Sequence, residues 1–537
     1  MRPGTVDTRS NQRRTRGRHT RPWRTAPTPA TGRRLRRIVA PLVAMVALVA
    51  ACDDDPDEEA VDAFTQDPDC FGIELVELEE DEVRCGTVTV PLHHEDPDGE
   101  TITLAVATLL DEDAGDEPVL VLGGGPGEVV VETALTEPVV QQLYALQGRE
   151  VILLDQRGVG SSDPELSCEA FEDEDFTELP DADEQRERFL SCREELVDRD
   201  IDLDAFDHVN NARDVDLVRR ALGHDQLVLR GGSYGTHLAL HAAALAPDAF
   251  SALVLSSPVD PTDNYLEAGA AGFQTALDRL DAGCQQAERC AEELGDINEA
   301  IAEVTDRLTD EPEEVTAEPL TGGEPFTRTY TGELFLSSVF TALYAADGAL
   351  ALPGMLIAAR EGDLEPLTGL VAAIEEQFDG IPMGMYASMV CSGEAAHFDA
   401  EVAAGGLTTP VLEEGWFDQL GIGGRDTNQL CELWDVEPSF DPGGFELATD
   451  VPTLIVTGEV DHVTPPVLGE QVHEQLDNSQ LVEARSLAHG PLEGLNAVVA
   501  GCGSSIITAF LDDPDSEPDT TCANQIPPLD GIGMFLP

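Results

Sequence analysis

Residues 226–235 read Gln226-Leu227-Val228-Leu229-Arg230-Gly231-Gly232-Ser233-Tyr234-Gly235. A short apolar run, 226–229, meets a Gly-x-Ser-x-Gly turn, and an Ala/Leu-rich stretch follows to about Ala246. The run reads as a strand and the stretch as a helix, so the pentapeptide sits where one gives way to the other. That context marks a nucleophile elbow. The turn is so tight that only glycine is tolerated beside the serine. It lifts the Ser233 hydroxyl clear of the backbone, at a helix N-terminus whose dipole favours negative charge.

Working outward, the same texture repeats. Residues 85–92 alternate like a strand, Pro97-Asp98-Gly99 makes a turn, and 101–109 returns. Residues 118–122 and 150–154 are continuous apolar runs, as in a parallel sheet covered on both faces. The first ends in Gly123-Gly124-Gly125-Pro126-Gly127, the second in Asp155-Gln156-Arg157-Gly158. Helical spacing at Val215, Val218 and Leu222 closes on Gly223, and 252–255 gives another strand. Strands alternating with helices predict a mostly parallel, doubly wound α/β sheet. From 262 to 445 the sequence turns helical and Ala/Glu-rich, with few strand-like runs; strand character returns at 453–457 and 480–484. The expected organisation is a basic leader with signal peptide (1–51), an acidic tether (52–69), a first core segment (70–261), a mainly helical cap (262–445) and a closing core segment (446–537).

A serine hydroxyl needs a base to take its proton, and the base needs an acid to orient it. Asp461 lies just past the strand at 453–457, where an acid would be presented; Glu459 is its rival, closer to the strand. His489 follows 28 residues on. His462 is adjacent to Asp461, and neighbouring side chains on a turn diverge. His237 and His241, after the elbow, read as packing residues, and His93, His94, His208 and His397 have no supporting context. Charge developing on a substrate carbonyl needs backbone donors. One should be the Tyr234 N–H; the other should come from Gly123–Gly127.

The chain has 537 residues, and its 30 basic residues are all arginine. Twelve precede Cys52, leaving 18 against 104 acids. Such a charge repels nucleic acid and anionic headgroups. The acidic clusters 111–116 and 512–519 lack calcium-loop spacing. They read instead as a hydrated surface suited to strong brine, where screening tames self-repulsion. Residues 38–51 are too short for a comfortable membrane span but suit a signal peptide. Val49-Ala50-Ala51-Cys52 resembles a bacterial lipobox, with Cys52 lipidated; plain cleavage near Ala51 is the alternative, and Arg33-Arg34 could belong to a twin-arginine signal. Ten further cysteines suggest disulfides. Neighbour pairing (70–85, 168–192, 284–290, 391–431, 502–522) is the simplest arrangement, although spacing does not fix connectivity. No Cys-x-x-Cys is present and the histidines are scattered, so neither metal nor cofactor is expected.

Several segments together resemble the prolyl iminopeptidase and tripeptidyl aminopeptidase family of α/β hydrolases. Gly123–Gly127 is similar to its His-Gly-Gly-Pro-Gly loop, with glycine in place of histidine. Asp155–Ser162, Gly232–Thr236, Gly458-x-x-Asp461-x-x-Thr464-Pro465 and His489-Gly490 look like its other motifs. Cys85–Leu92 and the C-terminal cysteine pair look like its secreted branch. The resemblance implies an α/β-hydrolase fold with an inserted helical cap and a triad of Ser233, Asp461 and His489. It also implies oxyanion donors at Gly125 and Tyr234 and a supporting role for Arg157. An acidic cap residue, Glu394, would hold a substrate amine. The expected activity is that of an exported serine aminopeptidase on peptides, touching membrane only through a lipid anchor. An esterase or lipase on the same scaffold is the near alternative; a non-catalytic binding lipoprotein is the remote one.

Overall fold

The computed structural model describes residues 64–530, except 80, 112–113, 116, 145–147, 173–181, 321, 345–347, 379 and 413–426. The signal peptide, Cys52 and most of the acidic tether lie outside the described residues.

A nine-stranded sheet organises the molecule. Its strands are β1 (Thr65–Gln66), β2 (Val83–Pro91), β3 (Thr101–Leu109), β4 (Val119–Leu122), β5 (Val151–Leu154), β6 (Leu227–Gly232), β7 (Phe250–Ser256), β10 (Thr453–Gly458) and β11 (Ser479–Ala484). The spatial order is β1-β2-β3-β5-β4-β6-β7-β10-β11. From β5 to β11 all neighbours run parallel, and β1, β2 and β3 add an antiparallel edge. β4 and β5 are buried throughout, as their unbroken apolar runs required. The order reverses around β4, and in such sheets ligands bind at the carboxyl ends beside the reversal. β4 and β6 both end there, in the glycine loop and in Ser233.

Between β7 and β10 the chain is mainly helical, as expected, including Tyr265–Gln286, Ile297–Asp310, Gly332–Ala342, Gly348–Arg360, Glu365–Phe378 and Met383–Ser392. These helices bury an apolar cluster of their own around Phe273, Leu277, Ile301, Phe335 and Leu356. One departure is an antiparallel hairpin, β8 (Glu313–Ala317) with β9 (Phe326–Tyr330). Its strands alternate exposed and covered residues over only five positions each, too short and polar to stand out in a helical setting.

Ten cysteines form five disulfides, 70–85, 168–192, 284–290, 391–431 and 502–522, the neighbour pairing. Each closes a short loop, restricting the unfolded chain.

The Asp155-Gln156-Arg157 run shows why a strand end can carry so much polarity. Asp155 accepts the N–H groups of Val130 and Val131 at 2.9 Å, fixing the chain just after the glycine loop. Gln156 donates to the Gly123 carbonyl at 2.9 Å. Arg157 is fully buried, forks onto Asp214 through two 2.8 Å bonds and donates to the carbonyls of Leu92 and Ala205. Truncating it to alanine would leave the buried Asp214 carboxylate with His94 as its remaining side-chain partner, and removing one partner of a buried pair costs about 3–5 kcal/mol. Arg157→Ala should therefore lower the denaturant midpoint strongly with the slope unchanged, read by far-UV circular dichroism in high salt.

Candidate active site

The nucleophile turn is built as the glycines demand. A Cβ on Gly235 would strike the Leu122 carbonyl, and one on Gly231 would strike the carbonyl of Gly235. Ser233 is held at φ 50, ψ −124, a conformation that side chains rarely adopt and that surrounding structure must impose. It is half-buried, at the mouth of the helix Tyr234–Leu245. The glycine loop presses on it, since a Cβ at Gly124 would lie 3.4 Å from the Ser233 Cβ. Gly125 is exposed at φ 100, and Tyr234 is the first residue of the helix. Tyr234 thus follows the serine directly, and Gly124, the neighbour of Gly125, packs against it.

Asp461 and His489 meet as expected. His489 Nδ1 lies 3.0 and 3.1 Å from the two Asp461 oxygens. Asp461 is 1% exposed and also accepts the amides of Val463 and Thr464 and the hydroxyls of Thr464 (2.9 Å) and Ser257 (2.6 Å). Burial alone would raise its carboxyl; the His489 imidazole and the Ser257 hydroxyl hold it below the usual range. The rivals point elsewhere. Glu459 accepts the Ser486 amide at 2.7 Å. His462 is buried among the rings of Phe340 and Tyr344, and burial pushes it down to about 3.

The two halves join at the end of β7. The Ser233 amide donates to the Ser256 carbonyl at 3.0 Å. The next residue, Ser257, donates to Asp461 and accepts from the Gly490 amide at 3.0 Å. Sequence reasoning missed Ser257; a serine pair closing an apolar strand was its only trace. Thr464, within the Gly458–Pro465 segment, gives Asp461 both its amide and its hydroxyl.

Glu128, also missed, follows the glycine loop. Its carboxylate accepts the Gly124 amide, and a Cβ at Gly124 would lie 3.3 Å from the same oxygen. Glu128 and Ser233 therefore approach within about 7 Å. Burial raises its carboxyl and Glu493 pushes it further up, while the Gly124 amide and His489 pull it back.

Glu394 departs from expectation. It is 1% exposed and faces His208 Nε2 at 3.2 Å and His237 Nε2 at 3.1 Å, leaving no face open to a substrate amine. Burial would raise its carboxyl, but the two imidazoles hold it well below the usual range. Histidines scattered in sequence are gathered here: His241 packs 4.6 Å from His237, ring to ring, and stacks on Phe445. Among the described residues, His208, His237 and Glu394 are the group arranged to hold a metal ion.

Fold and side chains together define a serine hydrolase of the α/β-hydrolase class. Comparison with known proteins agrees. Residues 117–293 match the alpha/beta hydrolase fold family, and residues 422–522 match the TAP-like protein family. The serine protease Hip1 of Mycobacterium tuberculosis is 26% identical over 74% of this chain and 80% of its own. Carboxylesterase B of the same organism is 28% identical over 80% and 84%. The tripeptidyl aminopeptidase of Streptomyces lividans is 30% identical over 34% of this chain and 36% of its own. Among solved structures, proline iminopeptidase of Mycobacterium smegmatis aligns over 80% of this chain and 98% of its own at 15% identity, with a TM-score of 0.41. The chain is thus an α/β hydrolase with a TAP-like C-terminal region, similar to serine peptidases of that fold.

Ser257→Ala should leave the fold intact but free His489 and Asp461 to drift. The expected loss is about tenfold to a hundredfold in kcat on a 4-nitrophenyl ester, about 1.4–2.7 kcal/mol of barrier, with KM nearly unchanged. An unaltered kcat would show that the hydroxyl orients nothing.

Proposed function

We propose that the chain is an exported aminopeptidase that uses Ser233 as nucleophile, His489 as general base and then acid, and Asp461 as its orienting partner. Attack by Ser233 places charge on the substrate oxygen, received by the amides of Tyr234 and Gly125. The amine leaves with a proton from His489, and water then hydrolyses the acyl-enzyme with His489 again as base. The helical stretch 262–445 serves as a cap, and Cys52 as the lipid anchor of a cell-surface enzyme. Relatives named as a serine protease and a tripeptidyl aminopeptidase support a peptide substrate.

The observation that carries the amine preference is Glu128. A carboxylate this close to the nucleophile, with the Gly124 amide as its hydrogen-bond donor, opposes the oxyanion. A substrate ammonium removes that opposition, so free N-termini are favoured in the transition state. Position also speaks to length. The amine of the residue giving the scissile carbonyl lies about 2.5 Å from that carbon, and each further residue adds about 3.3–3.6 Å. Glu128 suits the nearer amine, hence release of single residues; Glu394, enclosed by histidines, is replaced by Glu128 in this role.

The second reading, an esterase, is favoured by the similarity to carboxylesterase B. Three 4-nitroanilides separate the two in concentrated salt, where the acidic surface should also raise stability: a free single residue, a free tripeptide and an N-acetylated residue. The single-residue substrate should be cleaved fastest and the acetylated one at least tenfold slower. Glu128→Gln should compress that ratio toward one. Equal turnover of blocked and free substrates, with faster cleavage of simple esters, would establish the esterase. A fluorophosphonate should label the wild type and not Ser233→Ala; an unlabelled wild type would leave a binding lipoprotein.

A further inference from the structure

Three side chains from distant stretches meet behind the nucleophile helix. His208 opens the helix His208–Leu222, His237 lies one turn past Ser233, and Glu394 opens the short turn Glu394–His397. All are 1–2% exposed. The imidazole Nε2 atoms stand 3.2 and 3.1 Å from the two carboxylate oxygens, yet none of these four atoms is aligned for a hydrogen bond. The three are paired by charge at these distances, but their geometry is not that of aligned hydrogen bonds, a costly state for buried polar atoms. A cation coordinated by one atom from each residue would give all three side chains an aligned partner.

We propose that His208, His237 and Glu394 form a binding site for a divalent transition-metal ion, with Zn²⁺ the best fit. Zinc takes imidazole and carboxylate donors at about 2.0–2.2 Å, which sets the donors of a tetrahedron about 3.3–3.5 Å apart. The two measured separations are close to that edge, and one donor atom from each residue falls within 4.8 Å of the others. The outer nitrogen of His208 is already engaged, its Nδ1 lying 3.3 Å from the Tyr234 hydroxyl, as the second nitrogen of a metal-bound histidine usually is. Gly393 clears the space: a Cβ there would strike His208 Nε2. The ion would pin the segment after Met383–Ser392 to the nucleophile helix. That is a bracing role, separate from the chemistry at Ser233.

The test uses the whole exported chain, stripped with chelator and held in concentrated salt so that surface acids bind little. Titration with Co²⁺ should give visible d–d absorption of tetrahedral intensity, saturating at one equivalent and abolished by Zn²⁺. His237→Gln and Glu394→Gln should each weaken binding at least tenfold, and Zn²⁺ should raise the Tm of the wild type but not of the variants. A wild type without these bands, or variants that bind as tightly as the wild type, would overturn the site. Should a variant fail to fold, X-ray absorption at the zinc edge of the wild type decides: imidazole scattering supports the assignment, and an oxygen-only shell rejects it.

Discussion

The junction at the end of β7 is the constraint on which the site depends. Ser256 and Ser257 are consecutive, and between them they hold Ser233, Asp461 and the segment bearing His489. The Ser256 carbonyl takes the Ser233 amide, while the Ser257 hydroxyl spans from Asp461 to the Gly490 amide. Parallel pairing makes this possible. β6, β7 and β10 end side by side, with Gly232 in register with Ser256 and Val456 on its other side. Residues 228 positions apart in the chain, Ser233 and Asp461, are thus brought to one edge by backbone register before any side chain contributes.

Polar groups around this edge are satisfied in layers. Asp461 keeps its charge in a buried setting because two amides, two hydroxyls and an imidazole surround it. Behind the glycine loop, Asp155, Gln156 and Arg157 perform the same service for the backbone. A hydrogen-bonded chain runs from the Gly123 carbonyl through Gln156 and Asn211 to the Tyr234 hydroxyl and on to His208. The loop and the nucleophile helix are therefore tied through the interior. The histidine and glutamate cluster lies at the far end of that chain, and its polar atoms are not closed in the same way.

Much of the fold was legible because its signals are local. Strands β4 and β5 announced themselves as apolar runs ending in glycine-rich turns, and the elbow as a pentapeptide between strand and helix. The hairpin β8–β9 was not legible: five-residue strands with an exposed face carry no period that distinguishes them from a helix flank. Asp461 and His489, rather than Glu459 and His462, are the pair whose side chains meet, and their place after a strand was the local sign of it. Ser257 and Glu128 escaped because a serine at a strand end and one glutamate among the 104 acids that follow Cys52 look like many others. Glu394 was misread for the complementary reason: sequence offered no sign that two histidines would enclose it.

By itself, the sequence determined the order of the main core strands and helices, the strained turn at Ser233 and the chemical types available to it, since periodicity and glycine requirements act over a few residues. Tertiary structure alone decided which acids are reachable and which are sealed. Whether a carboxylate meets water, an imidazole or a hydroxyl depends on what distant segments bring to it. Burial, which sets both its charge and its use, is a property of the packed whole rather than of neighbours along the chain.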